Sequence, residues 1–213
     1  STVSLVLNNK PGISDVTRER VKKAVIDLGC EDLIVQDVEE KKTILFVVYR
    51  KHGSSVTGSS YFSQLFSEII EGVEYQTRAK GYNLMISYID QNNFKQEAAR
   101  IRSEAVEGIL LLATEMDVEQ IEAFLSIPMP IVVLDNYIEQ KQYDCVTMNN
   151  ELGVYEAISH LAALGHRDIG YFHIVCNANN FVERYFGFQR AVEMLGLTVK
   201  KENIIEIATE GGD

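Results

Sequence analysis

Hydrophobic residues follow two different rhythms along the chain, and the rhythm changes near residue 42. Over residues 1–30 they recur three or four positions apart, the spacing of a helix with one apolar face. From residue 43 onward, short continuous apolar runs alternate with longer stretches at helical spacing. The segment between them, EDLIVQDVEEKK (31–42), contains five acidic residues and two lysines, a composition typical of a linker. The pattern therefore predicts a small domain over 1–30, a linker over 31–42 and a larger domain over 43–213.

The first thirty residues predict two short helices joined by a tight loop. The first helix is stopped by NNKPG (8–12), which contains the turn residues Asn, Pro and Gly. Ser14 or Asp15 is suited to cap the second helix, which ends at Gly29. The residues predicted to form the core of this domain are apolar and at helical spacing: Val3, Val6, Leu7 and Val21. The apolar face of the second helix is completed by Ala24, Val25 and Leu28.

Alternating strands and helices are predicted for the larger domain. TILFVVY (43–49) is continuous, apolar and rich in β-branched residues, as expected of a strand buried on both faces. The predicted strands span 43–49, 82–89, 108–113, 130–135, 145–148, 168–174 and 204–207, and the predicted helices span 62–80, 94–105, 117–125, 149–164 and 181–195. Because short strands separated by helices imply right-handed βαβ crossovers, we predict a doubly wound parallel sheet and an α/β fold.

The strand series restarts near residue 145, which predicts two similar lobes with a cleft between them. The first lobe would span 43–143 and the second 144–213. Ligands bind to sheets of this kind at the carboxyl ends of the strands. The second lobe would leave a sheet edge and an apolar face uncovered, so we expect it to be incomplete.

Composition narrows the class of protein further. With 46% hydrophobic and 24% charged residues, the 213-residue chain can bury a large core and is not expected to be disordered. No apolar run approaches the roughly 20 residues of a membrane span and no signal peptide opens the chain, so we expect a cytoplasmic protein. Cys30, Cys145 and Cys176 have no metal-ligand spacing, which predicts reduced, buried thiols.

The motifs of common enzyme classes are missing from the sequence. No Gly-x-Gly-x-x-Gly follows a strand, no phosphate-binding loop is present, and no Ser/His/acid or metal-ligand constellation stands out. We therefore expect no catalytic residue, no metal and no cofactor, and an enzyme is the least favoured class.

Charge is distributed unevenly along the chain. Residues 1–30 carry five basic and three acidic side chains, a net charge of +2, whereas the whole chain has a net charge of −11, which leaves −13 for the rest. Because a negative surface repels a polyanion, we expect contact with nucleic acid only through the first domain.

A dense set of positions in the first domain shows a family resemblance. The stretches are Ser1–Asn8 (STVSLVLN), Ile13-Ser14, Thr17-Arg18-x-Arg20-Val21 and Leu28-Gly29. They resemble the recognition helix and third helix of the helix-turn-helix in the LacI/GalR family of bacterial transcription regulators, without the helix that precedes the recognition helix. The resemblance implies contacts with operator DNA from seven residues: Ser1, Thr2, Ser4, Leu5, Asn8, Ser14 and Thr17. Hydroxyl and amide side chains of this kind can bond base edges and phosphate oxygens.

Simpler structural roles compete with these assignments. Ser14 is equally suited to cap its helix, a role compatible with phosphate contact. Lys22 and Lys23 fit a solvated helix face. In the linker, Leu33 and Glu39 stand where the family has an Asn and the Leu that wedges into the minor groove. Because a carboxylate cannot act as an apolar wedge, we predict that this protein does not kink its operator in the family's usual way.

The larger domain resembles the effector-binding core of the same family. The matching stretches are Gly81-Tyr82-x-Leu84, Val106–Leu111, Pro130–Asp135, His160–Ile169 and Arg184-x-x-Gly187-Phe188. The resemblance implies two lobes of the periplasmic-binding-protein type that close around a small molecule. It also implies effector contacts from seven residues: Leu65, Phe66, Asp135, Asn136, Asn149, Asn180 and Arg184.

Most of these seven positions also have a plainer interpretation. The two apolar residues at the start of the first core helix fit ordinary core packing. Asp135, Asn136 and Asn149 fit loop or helix caps. Arg184 is the favoured residue, because its guanidinium fork can bind sugar hydroxyls or a carboxylate; the alternative is a surface arginine. Arg167, after a glycine at a helix end, is predicted to be structural.

Taken together, these features predict a transcription repressor that binds operator DNA as a homodimer. A small effector, with a sugar as the expected class, would change its operator affinity by altering lobe closure. The alternative is a sugar-binding receptor of the same fold, which would need a signal peptide and would lack the two N-terminal helices.

Overall fold

The computed structural model describes residues 1–34, 41–51, 60–175 and 178–208. Some expectations lie outside the described residues: the replaced wedge at Glu39, the Gly/Ser-rich loop over 52–59, the thiol of Cys176 and the segment 209–213. The chain forms two compact units, Ser1–Lys41 and Lys42–Asp213, and each is described by itself.

Residues 1–34 of the first unit form two α-helices, as predicted. Helix α1 (Thr2–Leu7) and helix α2 (Asp15–Asp27) are followed by a 3₁₀ turn over Glu31–Leu33. The predicted cap is confirmed at Ser14, whose side chain accepts a hydrogen bond from the Thr17 amide. Local chemistry therefore sets the start of α2.

The core of the first unit is smaller than the sequence predicts. Val6 is buried, and Leu7 and Val21 are half-buried. Val3 is 47% exposed, so its predicted burial was wrong. Leu28, which was predicted to complete the apolar face of α2, is 77% exposed. Two helices that pack on each other bury only the stripe along their contact, and an apolar residue off that stripe remains in solvent.

The second unit is built from parallel strands joined by helices, which confirms the predicted α/β fold. Its strands are β1 (Thr43–Tyr49), β2 (Asn83–Ile89), β3 (Gly108–Leu112), β4 (Ile131–Leu134), β5 (Asp144–Val146), β6 (Tyr171–Val175) and β7 (Ile204–Ala208). Its helices are α3 (Ser60–Ala79), α4 (Phe94–Ile101), α5 (Val118–Leu125), α6 (Asn150–Ala163) and α7 (Asn179–Met194). The first sheet has the order β2-β1-β3-β4-β5, and a second sheet pairs β6 with β7.

Strand β1 lies within the first sheet and is buried on both faces, as predicted. Leu45, Val47 and Tyr49 face a core shared with α4 and α5, whereas Phe46 and Val48 face a core shared with α3. Because alternate residues of a strand point to opposite faces, helices on both sides are needed to cover it.

Strand β5 belongs to the first sheet, which corrects the predicted start of the second lobe at residue 144. It pairs in parallel with β4, with Cys145 opposite Val133. All three β5 residues are exposed, so no burial pattern in the sequence could assign the strand to a sheet, and only the backbone pairing does. The same exposure makes Cys145 accessible, and Cys30 is also free and exposed. The prediction of buried thiols was therefore wrong for both residues.

Helices α6 and α7 pack on one face of the second sheet. Ile158, Ile169, Phe188 and Ala191 form the buried centre of this region. The ring of Tyr171 stacks on that of Phe188, with the ring centres 4.4 Å apart. These contacts fix α7 beside α6 at the place where the candidate site forms.

No helix in the described part of the chain is long and apolar enough to cross a membrane. Within the same residues, no three His, Cys, Asp or Glu side chains are grouped so that they could hold a metal ion.

Candidate functional site

The five predicted DNA-facing residues of the first helix region all lie at the surface: Ser1, Thr2, Ser4, Leu5 and Asn8. Ser1 Oγ accepts a hydrogen bond from the Ser4 amide at 3.4 Å, and Asn8 Nδ2 donates to the Ser4 carbonyl at 2.9 Å. Such bonds support both ends of a helix that is too short to be stable by itself. The structure thus presents these residues together on one exposed element.

Ser14 and Thr17 form a pair at the start of α2. Their hydroxyl oxygens are 2.9 Å apart, and Ser14 Oγ also accepts a hydrogen bond from the Thr17 amide at 3.4 Å. A helix N-terminus has free N–H groups and a partial positive charge, which favour a phosphate oxygen there. The cap and the proposed phosphate contact are therefore compatible.

Arg18 holds the loop between the two helices, a role that the sequence did not reveal. Its guanidinium donates hydrogen bonds to Asn9 Oδ1 at 2.7 Å and to the Lys10 carbonyl at 2.8 Å. Asn9 has a φ of +47°, in the left-handed region that favours glycine. The two bonds from Arg18 help to hold that unusual backbone in place.

Asp135 joins three elements at the carboxyl edge of the first sheet. It follows β4 and has a φ of +62°. Its Oδ2 accepts hydrogen bonds from Thr114 Oγ1 at 2.8 Å and from Asn180 Nδ2 at 3.0 Å. Thr114 follows β3 and Asn180 belongs to the first turn of α7, so one carboxylate links β3, β4 and α7. This is the edge at which the parallel sheet was predicted to bind its ligand.

Asn150, which the sequence analysis missed, connects Asn180 to Arg184. Asn150 is only 6% exposed. Its Nδ2 donates hydrogen bonds to Asn180 Oδ1 at 3.1 Å and to Glu183 Oε2 at 2.7 Å. Its Oδ1 accepts a hydrogen bond from Arg184 Nε at 2.9 Å. One carboxamide therefore brings two predicted site residues and a carboxylate into one group.

The approach of α6 to α7 depends on Gly187. A Cβ atom at this position would lie 2.7 Å from the carbonyl oxygen of Glu151 and 2.8 Å from its Cα, distances that side chains do not tolerate. Arg184 lies one turn before Gly187 on the same side of α7. The glycine in the Arg-x-x-Gly-Phe stretch thus lets the first turn of α6 place Asn150 beside Arg184.

Two other predicted site residues, Asn149 and Asn136, hold the backbone. Asn149 Oδ1 accepts a hydrogen bond from the Leu152 amide at 3.1 Å, the helix cap that the plainer interpretation describes. Asn136 is buried, and its Nδ2 donates to the carbonyls of Ala113 at 2.7 Å and Met116 at 3.0 Å. The side-chain NH₂ group of Asn136 is therefore already hydrogen-bonded to main-chain carbonyls.

Of the seven predicted effector-binding residues, Asn149 and Asn136 line the two clefts described below, whereas the other five lie outside their linings: Leu65, Phe66, Asp135, Asn180 and Arg184. Phe66 packs against the core formed by Phe46, Val48 and Leu112, and Leu65 is half-buried. For Phe66, core packing is the role that the contacts describe.

A carboxylate–phenol pair completes the polar region. Hydrogen bonding to the Glu183 carboxylate, reinforced by burial, raises the pKa of Tyr137 to about 12. Asn179 Nδ2 donates a hydrogen bond to the Tyr137 carbonyl at 2.8 Å, so the first turn of α7 also holds the segment after β4.

Two clefts border this region. We call the group formed by Asp135, Asn150, Asn180, Glu183 and Arg184 the edge cluster. The larger cleft, about 490 Å³, lies at the strand ends and is lined by Tyr49, Tyr137 and Asn179 among others. The smaller cleft, about 310 Å³, is lined by Asn150 and Glu183 of the edge cluster and by neighbouring residues. Both volumes are in the range of small-molecule sites.

Comparison with known proteins matches the two units to two family descriptions. Residues 41–210 match the family described as periplasmic binding proteins and sugar binding domain of LacI family. Residues 1–29 match the family described as bacterial regulatory proteins, lacI family.

Several named proteins are similar to almost the whole of this chain, but the chain covers only part of their length. The ribose operon repressor of Haemophilus influenzae is 30% identical over 213 residues, 97% of this chain and 60% of that protein. The transcriptional repressor PurR of Vibrio cholerae is 31% identical over 219 residues, with the same two coverages. Catabolite control protein A of Priestia megaterium is 25% identical and is covered to 61%. The chain therefore spans about 60% of the length of these relatives.

Solved structures share the fold at lower sequence identity. The transcriptional regulator CelR in complex with cellobiose superposes with a TM-score of 0.64 at 21% identity, over 97% of this chain and 61% of that one. A LacI family transcriptional regulator from Mycobacterium smegmatis gives a TM-score of 0.61 at 18% identity, over 78% of this chain and 56% of that one.

Proposed function

The chain belongs to the LacI family of bacterial regulatory proteins, and from this premise we propose that it is a DNA-binding transcription repressor whose operator affinity is controlled by a small-molecule effector. The observation on which the proposal rests is the edge cluster beside two clefts at the carboxyl ends of the strands. Polar groups that converge beside a concave surface at this edge of a parallel sheet are typical of ligand sites.

The seven predicted effector-binding residues remain candidates, and the geometry supports them unequally: Leu65, Phe66, Asp135, Asn136, Asn149, Asn180 and Arg184. Asp135 and Arg184 receive the strongest support, because each supplies a charged group to the edge cluster. Asn180 links them through Asn150. Asn136 receives the least, because its amide is bonded to backbone carbonyls.

We expect the effector to be a sugar. The edge cluster contains two carboxylates, two carboxamides and one guanidinium, a mixture of acceptors and donors suited to hydroxyl groups. Since carboxylates outnumber the cation, an uncharged polyhydroxylated ligand is favoured over a phosphate. The names of a ribose operon repressor and of a regulator bound to cellobiose, which concern those proteins, agree with this class.

Contact with operator DNA is assigned to the first unit. The exposed polar residues of α1, the Ser14–Thr17 pair at the start of α2 and the net charge of +2 over residues 1–30 support this assignment. We retain the division into a DNA-binding domain (1–30), a linker (31–42) and an effector-binding core (43–213). We also infer a homodimer that acts in the cytoplasm, where operator DNA is found.

The effector class can be tested by thermal unfolding of the chain with D-ribose, D-glucose, cellobiose and ribose 5-phosphate. A ligand that binds only the folded state stabilises it by about 2.7 kcal/mol at 100 times its Kd. We expect at least one uncharged sugar to raise the unfolding temperature, and Arg184→Ala to make that shift smaller without abolishing it. A larger shift with the phosphate than with every uncharged sugar would contradict the proposed class.

Operator binding can be tested by selecting duplexes from a random pool and measuring affinity with and without the sugar that binds. We expect sequence-specific binding that the sugar changes by roughly 5-fold or more, the usual size of allosteric coupling. Ser4→Ala should weaken specific binding while leaving sugar binding intact. Equal affinity for selected and unrelated duplexes would contradict the DNA-binding assignment.

A further inference from the structure

We propose that Asn150 positions Arg184 for effector binding by holding its Nε and leaving both terminal nitrogens available to the ligand. The inference rests on the proposed function and adds to it a residue that the sequence pattern did not single out. The evidence is the arrangement of hydrogen bonds on both sides of the Asn150 carboxamide.

The first step is the bond between Asn150 Oδ1 and Arg184 Nε, at 2.9 Å. A guanidinium has five N–H donors, one on Nε and four on the two terminal nitrogens. Within the described part of the chain, the Arg184 guanidinium makes no other hydrogen bond. Its Cζ also lies 5.3 Å from the centre of the Phe181 ring, which helps to fix its position. The four remaining donors are thus presented as a fork suited to bidentate binding.

The second step is that Asn150 itself is fixed. Its Nδ2 donates hydrogen bonds to Glu183 Oε2 at 2.7 Å and to Asn180 Oδ1 at 3.1 Å, and its side chain is buried. The carboxylate of Glu183 accepts but cannot donate, so the amide nitrogen must face Glu183 and the amide oxygen must face Arg184. The acceptor that holds Arg184 therefore has a defined direction.

The third step is that other side chains at position 150 would not make the hydrogen bonds that Asn150 makes with Asn180, Glu183 and Arg184. An aspartate at position 150 would place a second carboxylate beside Glu183 and would remove the donor to Asn180. An alanine would leave Arg184 Nε without its acceptor and free the guanidinium to move. Ordering a flexible arginine before the ligand arrives reduces the entropy lost on binding. Asn150 is accordingly a positioning residue that acts through Arg184.

A double-mutant cycle measures this action directly. We would measure binding of D-ribose, D-glucose and cellobiose to the chain by calorimetry and continue with whichever sugar binds most tightly. Asn150→Ala is expected to weaken that binding about tenfold, equivalent to about 1.4 kcal/mol. In an Arg184→Ala background, Asn150→Ala is expected to alter sugar affinity less than about twofold, because the guanidinium through which Asn150 acts is already absent.

Arg167→Ala serves as the matched control for lost stability. Arg167 Nη1 donates hydrogen bonds to the carbonyls of Ala162 and His166 at the opposite end of α6, so its loss loosens the same helix. We expect this variant to unfold at a lower temperature while binding the sugar as tightly as the unmodified chain. A nitrogen–proton NMR spectrum of arginine Nε groups adds a direct readout. The Arg184 signal should move in Asn150→Ala and stay in place in Arg167→Ala.

The outcomes separate the two proposals. Unchanged sugar affinity in Asn150→Ala, or an equal loss in both backgrounds of the cycle, would overturn the role of Asn150 while leaving the effector site intact. If none of the three sugars binds the unmodified chain, the sugar-effector proposal fails first, and the role of Asn150 fails with it.

Discussion

The two sheets of the second unit differ in how completely they are covered. In the first sheet, β1 has helices on both faces, and the side chains from Leu45 to Val48 have no exposed surface. In the second sheet, α6 and α7 cover one face, whereas Phe172 and Ile205 on the other face are 68% and 50% exposed. Since buried apolar area dominates folding stability, the first sheet is the stable framework and the second region is more easily perturbed.

The edge cluster combines residues from both of these regions. Asp135 follows a strand of the first sheet, whereas Asn150, Asn180 and Arg184 belong to α6 and α7. Hydrogen bonds from Asn179 and Asn180 of α7 to Asn136, the Tyr137 carbonyl and Asp135 connect the two regions. Changes in the second region should therefore disturb the site before they unfold the chain.

The largest effect is expected from a matched pair of phenylalanines. Phe46→Ala opens a cavity in the first sheet and should lower the free energy of unfolding by about 3–5 kcal/mol. Phe172→Ala removes an exposed ring and should change it by no more than about 0.5 kcal/mol. Urea unfolding followed by circular dichroism measures both. Similar losses in the two variants would show that the second sheet is covered in solution.

A smaller effect is expected from two helical glycines in the second region. Gly187→Ala forces a Cβ against the Glu151 backbone and should destabilise the chain by about 1–3 kcal/mol. Gly153→Ala, on α6 with no atom within 4 Å of the added Cβ, should stabilise it by up to about 1 kcal/mol through helix propensity. Thermal unfolding should show opposite signs. A gain in both variants would mean that α6 and α7 lie farther apart than described.

The link between the two regions should weaken at high pH. The pKa of Tyr137, raised from 10.0 to about 12, means that the folded chain holds the phenol proton more tightly than the unfolded chain does. This stabilisation is complete below pH 10 and is lost as the pH rises through 12. Because the phenol is partly exposed and solvent screens its contact with Glu183, the unmodified chain should lose up to about 1 kcal/mol more stability than Tyr137→Phe between pH 9 and pH 11. Urea unfolding at the two pH values tests this, and equal losses would contradict the Glu183 contact.

The smallest effect concerns the first unit, whose described residues contain helices and no strand. Ser14→Ala removes the cap of α2 and should destabilise that helix by about 1 kcal/mol, whereas Ser14→Gly should cost only a few tenths. Hydrogen exchange of the α2 amides reports this local loss without requiring global unfolding. Equal protection in the alanine variant and the unmodified chain would argue against the cap.

Elements whose signals are local could be predicted from the amino-acid sequence. The continuous apolar run TILFVVY predicted the doubly buried β1, and Ser14 predicted the cap of α2, because each signal is carried by residues close together in the sequence. The alternation of strands and helices likewise predicted the α/β class. For the site, family resemblance pointed to Arg184 and Asp135, which the structure links through Asn180 and Asn150.

Which elements pack against each other depends on contacts between residues far apart in the sequence. The exposed β5 joins the first sheet through backbone hydrogen bonds, and its pattern of side chains does not predict this pairing. Of two adjacent asparagines with the same chemistry, Asn149 caps α6 at the surface and Asn150 turns inward. The two asparagines differ in role because α6 packs closely on α7 at Gly187. Hydrophobic periodicity shows which face of a helix is buried, but it does not show which neighbouring helix covers that face.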